Sequence, residues 1–299
     1  MALSQEVLQN IAFSDLMGID KAPLVPVAQT RDTLNHIPPA ANPTQVGEVI
    51  NTVVPGRDIP VRIYIPEGKG PFPVLSYYHG GGFVLMTIDT VDEICRGICS
   101  MAGCVVMSVG YRLAPEHRYP VGPEDCAAAT RWMIGQAGDY RGIGERMAVA
   151  GDSAGGYMAL TVAQKLHAEG ISLKAQFAAY PVTDHYSAHH QSWEENKVGY
   201  GLTAGVMRWF WDNFLDDPSL ADAASPLRAK DFSGLPPALI FTCQYDPLRD
   251  EGKAYADKLR AAGVETVYSN FENVHGFLGI GEMGRQALRT ASDFLKEKL

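Results

Sequence analysis

Apolar and polar positions alternate through "GEVINTVV" from about Gly47, break at Pro55-Gly56, and alternate again in "IPVRIYIP". A period of two marks half-buried strands, and the turn between them predicts an antiparallel pair. Further along the pattern changes. The runs "FPVLSYYH", "GCVVMSVGY", "MAVAG", "KAQFAAYP" and "PALIFTCQY" are short and apolar throughout, with helix-like text between them. Strands buried on both faces of a parallel sheet look like this. After Ser153, the residues Ala159, Val162, Ala163 and Leu166 recur at helical spacing, with Gly170 as the stop. Glu124 and Asp125, beside Pro123, stand at another predicted helix start and read as acids favoured by the helix dipole. The last segment, "RQALRTASDFLKEKL", sets Leu288, Ala291 and Leu295 on one face with lysines at its carboxyl end, as in a helix packed on an edge.

Two stretches interrupt this alternation of strand and helix. Residues 1–45 carry helical and proline-rich text, and 185–228 is an aromatic-rich segment containing "VMRWFWDNFL". The chain therefore reads as an α/β fold with a mostly parallel central sheet flanked by helices. Its core spans 46–184 and 229–299, and 1–45 with 185–228 read as an appended cap over one end of the sheet.

Composition narrows the classes of function. With 46% hydrophobic and 20% charged residues, 299 residues suit one compact globular unit. No apolar run approaches the roughly 20 residues needed to cross a bilayer, so no membrane partner is expected. The start "MALSQEVLQN" lacks the basic and long apolar regions of a secretory signal, which points to the cytoplasm. A net charge of -9 without a basic cluster argues against nucleic acid. The five cysteines are odd in number and lie in mostly apolar text, as reduced and packed thiols do. Cys95 and Cys99 sit one helical turn apart but lack two further ligands for a closed zinc site. His185 and His189 lie four apart on polar, lid-like text, where a metal site is disfavoured. No metal and no cofactor is expected.

The chemistry concentrates on "GDSAGG", which places Ser153 between a strand and a helix. Such a Gly-x-Ser-x-Gly turn lifts a serine hydroxyl above a sheet. Its glycines are needed because a Cβ at Gly151 or Gly155 would meet neighbouring backbone. A serine needs a base, and the base needs an orienting acid. His275, in "NVHGF" after the strand-like "VETVYSNF", is the best placed of the eight histidines. His79 precedes three glycines and reads as a shaper of that loop, while His36, His117 and His167 read as solvent-facing or locally bonded. Asp246 follows "PALIFTCQY", giving the order Ser, Asp, His; Asp184 is the competing orienter. Asp250 and Glu251 read as capping acids at the next helix start. "HGGGF", His79 to Phe83, offers unobstructed backbone N–H groups to an oxyanion. It lacks the lysine of a phosphate loop and the spacing of a dinucleotide fingerprint.

The motifs "HGGGF", "YRLAPEH", "GDSAGG", "DPLRDEG" and "HGF", in this order from about Gly47 to the C-terminus, resemble the hormone-sensitive-lipase family of bacterial carboxylesterases. The resemblance implies an α/β-hydrolase fold with a helical cap, Ser153 as nucleophile, Asp246 as acid and His275 as base. It also implies oxyanion amides from Gly81, Gly82 and Ala154, with Gly80 shaping the same loop. The implied partner is a small ester with a short to medium acyl chain. Phe83, Tyr200 and Gly201 are expected at the substrate. Gly201 stands where related esterases tend to carry a bulky apolar residue, which would widen the pocket here. Trp193, Trp209, Trp211 and Phe214 read mostly as cap core.

Two other classes are weaker. A non-catalytic small-ligand receptor on the same fold would have lost the histidine, and His275 is present. A chymotrypsin-like peptidase shares a similar serine motif but needs the order His, Asp, Ser. A homodimer through a sheet edge is a further expectation. Because the base must be neutral, activity is expected to rise with pH through the ordinary histidine value of about 6.5.

Overall fold

A computed structural model describes residues 3–35 and 40–299; His36 lies outside the described residues. Eight strands form one sheet in the order β1-β2-β4-β3-β5-β6-β7-β8. The first two, β1 (Glu48–Val54) and β2 (Ile59–Ile65), are the antiparallel pair expected on either side of Pro55-Gly56. β2 also runs against β4 (Val105–Val109). From there β3 (Phe72–Tyr78), β5 (Gly142–Asp152), β6 (Ala175–Ala179), β7 (Ala238–Tyr245) and β8 (Thr266–Val274) continue in parallel.

The apolar strands are buried from both sides because alternate residues serve two helical layers. On one face Val74, Val105, Met107 and Val149 join a core with α4 (Val121–Gln136) and α5 (Ala154–Ala168). On the other, Leu75, Val106, Ala148 and Ala150 meet α3 (Asp92–Ile98) and α9 (Gly281–Lys298). Helix α9 turns Leu288, Ala291 and Leu295 inward, but onto the face of the sheet over β6 and beside α3 rather than on the expected edge. Helix α8 (Arg249–Ala261) covers β7 through Tyr255, Ala256 and Leu259.

The reading of Asp125 as a dipole partner gives way to a stronger one. Its carboxylate is fully buried and accepts from the Arg112 backbone N and, at 2.8 and 2.7 Å, from the Arg112 guanidinium. It therefore fixes the "YRLAPEH" loop to α4, and a charge this deep needs such a partner.

The two irregular stretches supply α1 (Gln5–Met17) and α2 (Val27–Asn35) at the start, and α6 (Gln191–Glu195) and α7 (Ala204–Phe214) between β6 and β7. Helix α1 packs against β8 and α9, and α7 packs against the short helix Ile19–Leu24. Arg31 secures α2 by donating to the carbonyls of Val84 and Ala114 and pairing with Glu116 at 2.8 Å. Among the described residues no helix is long and apolar enough to cross a membrane, and all five cysteines are buried and free.

Candidate active site

Strand register decides which residues meet. Tyr78 pairs with Gly151, so the residues just beyond β3 lie beside those just beyond β5. Tyr245 pairs with Val274, so Asp246 and His275 leave adjacent strand ends together. At the resulting rim, His275 Nε2 lies 2.8 Å from Ser153 Oγ, and His275 Nδ1 lies 2.7 Å from Asp246 Oδ2. The other Asp246 oxygen accepts the Leu248 N–H at 2.9 Å, and the carboxyl is fully buried. Asp184 is engaged elsewhere. It accepts from Arg228 Nε at 2.6 Å and binds His190 Nε2 at 2.9 Å, so it does not compete for His275.

Ser153 has φ 55° and ψ -120°, a conformation sparsely populated for a side-chain-bearing residue. Its backbone N–H holds to the Ala179 carbonyl at 2.9 Å, and α5 starts at the next residue. The turn closes only with glycine beside it: a Cβ on Gly155 would overlap the Tyr78 carbonyl, and one on Gly151 would overlap Gly155.

Gly81 and Gly82 line the same cavity as Ser153, with φ of 102° and 58°. The turn is held by Val84 and Leu85 N–H groups donating to the Gly81 carbonyl. Behind it, His79 is buried and stacks on Tyr111 with ring centroids 4.4 Å apart, while Tyr111 Oη donates to the His79 carbonyl. Burial lowers the His79 imidazole to about 4, so it stays neutral as a brace for the loop. The "YRLAPEH" segment thus supports the glycine loop, a role its sequence alone did not disclose.

Asp152 was not singled out from sequence, although it lies within "GDSAGG" and lines the cavity. Burial pushes its carboxyl up to about 6; the Tyr77 hydroxyl at 2.9 Å, the His275 charge and the Gly80 N–H pull the other way. One carboxyl group thereby joins the glycine loop to the serine turn.

Three expectations for the substrate pocket fail on geometry. Phe83 is 1% exposed and stacks on Phe214 at 4.0 Å, because the turn after Gly82 sends its ring into the core under α7. Tyr200 stacks on Tyr245 at 5.2 Å and does not line the cavity. Gly201 has φ 80° and lies against Ser14, where a Cβ would come within 2.5 Å of the Ser14 hydroxyl. Backbone conformation and the approach of α1, rather than pocket width, explain the glycine. The lining comes instead from Phe13, Met17 and Ile19 near the N-terminus, Leu202 and Phe210 in the insertion, and Phe277 after β8. These scattered apolar positions carry no motif, and only the folded arrangement brings them together. Trp193, Trp211 and Phe214 are buried in the insertion and, as expected, do not line the cavity.

A family model described as the alpha/beta hydrolase fold matches residues 75–279. The chain belongs to the alpha/beta-hydrolase family. Among curated relatives, the carboxylic ester hydrolase LipN of Mycobacterium tuberculosis is 42% identical over 77% of this chain, a match spanning 64% of LipN's own length. The ethyl acetate hydrolase of Pseudomonas putida is 36% identical over 83% of this chain and 80% of its own. Among solved structures, a hyperthermophilic esterase from Pyrobaculum calidifontis superposes with a TM-score of 0.87 at 34% identity, covering 99% of both chains. These relatives place the chain in the hormone-sensitive-lipase-like branch of carboxylesterases.

Proposed function

We propose that this α/β hydrolase is a serine carboxylesterase with Ser153 as nucleophile, His275 as general base and Asp246 as the acid that orients it. The observation that carries the reading is the unbroken hydrogen-bonded line Ser153 Oγ, His275 Nε2, His275 Nδ1, Asp246 Oδ2, at 2.8 and 2.7 Å. In the first half-reaction His275 takes the Ser153 proton as Oγ attacks the ester carbonyl, and the oxyanion is received by the N–H groups of Gly81, Gly82 and Ala154. Collapse of the tetrahedral intermediate breaks the ester C–O bond, with the imidazolium returning its proton to the leaving alcohol. In the second, His275 deprotonates a water that releases the acid from the acyl-enzyme and restores Ser153.

The cavity favours neutral esters. Its lining is chiefly apolar and, among the described residues, presents no Lys or Arg, so a substrate carboxylate would lose its hydration without gaining a cationic partner. The names of LipN and of the ethyl acetate hydrolase support ester hydrolysis, and the short to medium acyl preference rests on family resemblance. Our proposal treats 1–45 and 185–228 as the cap over a core of 46–184 and 229–299. A cytoplasmic site is proposed in keeping with five buried, unpaired thiols. Dimerisation along the outer edge of β8, where Val267 is 44% exposed, is proposed as well, with sedimentation as its check.

The test is hydrolysis of a graded series of p-nitrophenyl acyl esters by wild type and Ser153→Ala. Wild-type turnover is expected, with the variant about 10⁶-fold slower in kcat. Equal turnover by both proteins would remove Ser153 from the mechanism, and an inactive wild type that still binds esters would favour the receptor reading.

A further inference from the structure

The loop that carries Asp246 leaves β7 and enters α8 with the carbonyls of Gln244, Asp246 and Pro247 each accepting a side-chain donor. Apart from Arg249 Nη1 at the Gln244 carbonyl, their side-chain donors come from the insertion. Asn196 Nδ2 donates to the Asp246 carbonyl at 3.1 Å and approaches the Gln244 carbonyl at 3.4 Å. Ser192 Oγ donates to the Pro247 carbonyl at 2.6 Å and accepts the Asp250 N–H at 3.2 Å. The Ser192 N–H in turn donates to Asp250 Oδ2 at 2.8 Å. Both side chains are buried, Ser192 fully and Asn196 to 4% exposure, so these bonds do not compete with bulk water.

The same helix is fastened again one residue along. Trp193 Nε1 donates to Glu251 Oε2 at 3.0 Å, and Glu251 Oε1 accepts the N–H groups of Thr183 and Asp184 at 2.7 and 3.1 Å. Glu251, expected as a capping acid, is instead a fully buried junction of α6, α8 and the loop after β6. At the exposed end Arg249 Nη2 pairs with Glu195 at 2.7 Å. Helix α6 is therefore bonded to residues 244–251 from end to end, whereas a mere cover over the substrate would need no contact with the acid loop.

We infer that Ser192 and Asn196 are positioning residues for Asp246: by fixing the Gln244, Asp246 and Pro247 carbonyls of its loop, they hold its carboxylate in line with His275 Nδ1. The inference rests on the esterase reading of the triad and extends it. The insertion sets the reactivity of the serine as well as the shape of the pocket. A loop freed of these bonds could swing Asp246 by a fraction of an ångström, and displacements near 1 Å cost about 100-fold in rate at well-oriented sites.

The experiment uses the full chain as wild type, Ser192→Ala, Asn196→Ala and the double variant, with Gln191→Ala as a surface control on α6. Four quantities are read: kcat and KM for p-nitrophenyl butyrate, the thermal midpoint, and the far-downfield proton resonance of His275 Nδ1–H in its bond to Asp246. The double variant is expected to lose about 10- to 100-fold in kcat with KM within about 2-fold of wild type, since the acid acts on the transition state rather than on binding. Its His275 resonance should shift or broaden without substrate, while Gln191→Ala matches wild type. Unchanged kcat in all three variants would overturn the inference. So would a loss that merely tracks the unfolded fraction while the resonance of the folded protein stays in place. The single variants each remove one small polar group and answer the question if the double variant does not fold. The resonance reports the Asp246–His275 bond without turnover, so an inactive wild type would count against the esterase reading alone.

Discussion

On the floor of the cavity each reacting group sits directly beyond a strand end, whereas the roof is assembled from α1, α7 and the loops around them. The floor is set by pairing: Tyr78 with Gly151 and Tyr245 with Val274 leave the next residues no choice of neighbour. The roof is set by side-chain packing, in which Phe13, Leu202 and Phe210 were free to be any apolar residues of similar size. Chemistry that depends on hydrogen-bond lengths belongs on the first kind of surface, and selectivity on the second.

The sharpest test of the floor separates its two candidate acids. Asp246→Asn replaces an acceptor with a group that can donate to His275 and favour the wrong tautomer, so kcat is expected to fall about 10⁴-fold at nearly unchanged stability. Asp184→Asn should do the reverse, leaving kcat near wild type while losing about 2–3 kcal/mol in denaturant unfolding, because Arg228 and His190 lose a buried partner. If Asp184→Asn were the inactive one, the assignment would be inverted.

Where floor and roof touch, a smaller but still large effect is expected. A Cβ on Gly82 would overlap the ring of Phe210, which α7 lays directly on the glycine loop. Gly82→Ala should therefore cost about 10²–10³-fold in kcat by displacing a proposed oxyanion donor. Adding Phe210→Ala should recover part of that loss on p-nitrophenyl acetate. No recovery would mean that the positive φ at Gly82, and not the ring, excludes a side chain.

A third test concerns the joint between insertion and core. Burial raises Glu251 to about 8 against its three N–H donors. The folded chain keeps this proton where the unfolded chain has released it. The associated stability is thus complete below the ordinary carboxyl range near 4.5 and is lost as pH rises through about 8. Glu251→Gln removes the titration but misaligns one donor, so it should be about 1–2 kcal/mol less stable than wild type at pH 6. That gap should narrow by pH 9. Urea midpoints across this range would show it, and a constant gap would mean that Glu251 does not titrate there.

The floor was legible in the sequence because its requirements are local. "GDSAGG" and "HGGGF" declare turns that only glycine can make, and Asp246 and His275 each follow an apolar strand. Not legible were side chains whose partners lie far along the chain. Asp125 looks like a helix-start acid until Arg112 is seen against it, and Glu251 looks the same until Trp193 arrives 58 positions away in sequence. Asp152 lies inside the serine motif, but its partner Tyr77 is 75 positions away. On the roof the aromatic run predicted a helix correctly, but which of its rings would face the cavity depended on how α7 settles on the glycine loop. That is why Phe210 rather than Phe83 or Tyr200 lines it.

Gly201 gives the smallest effect and the clearest contrast between conformation and selectivity on the roof itself. With φ at 80°, any side chain there is strained, and a Cβ also presses on Ser14 of α1. Gly201→Ala is expected to lower stability by about 1–2 kcal/mol, as substitutions at positive φ do. The preference among acyl chain lengths should stay as it is, because the position does not face the substrate. Its neighbour Leu202 does line the cavity, so Leu202→Ala should shift the profile toward bulkier acyl groups, by up to about 1–3 kcal/mol in relative kcat/KM per group accommodated. Measuring both variants on one ester series decides between the two explanations. A shift caused by Gly201→Ala and absent from Leu202→Ala would restore the glycine as a pocket-widening residue and would require α1 to move with it.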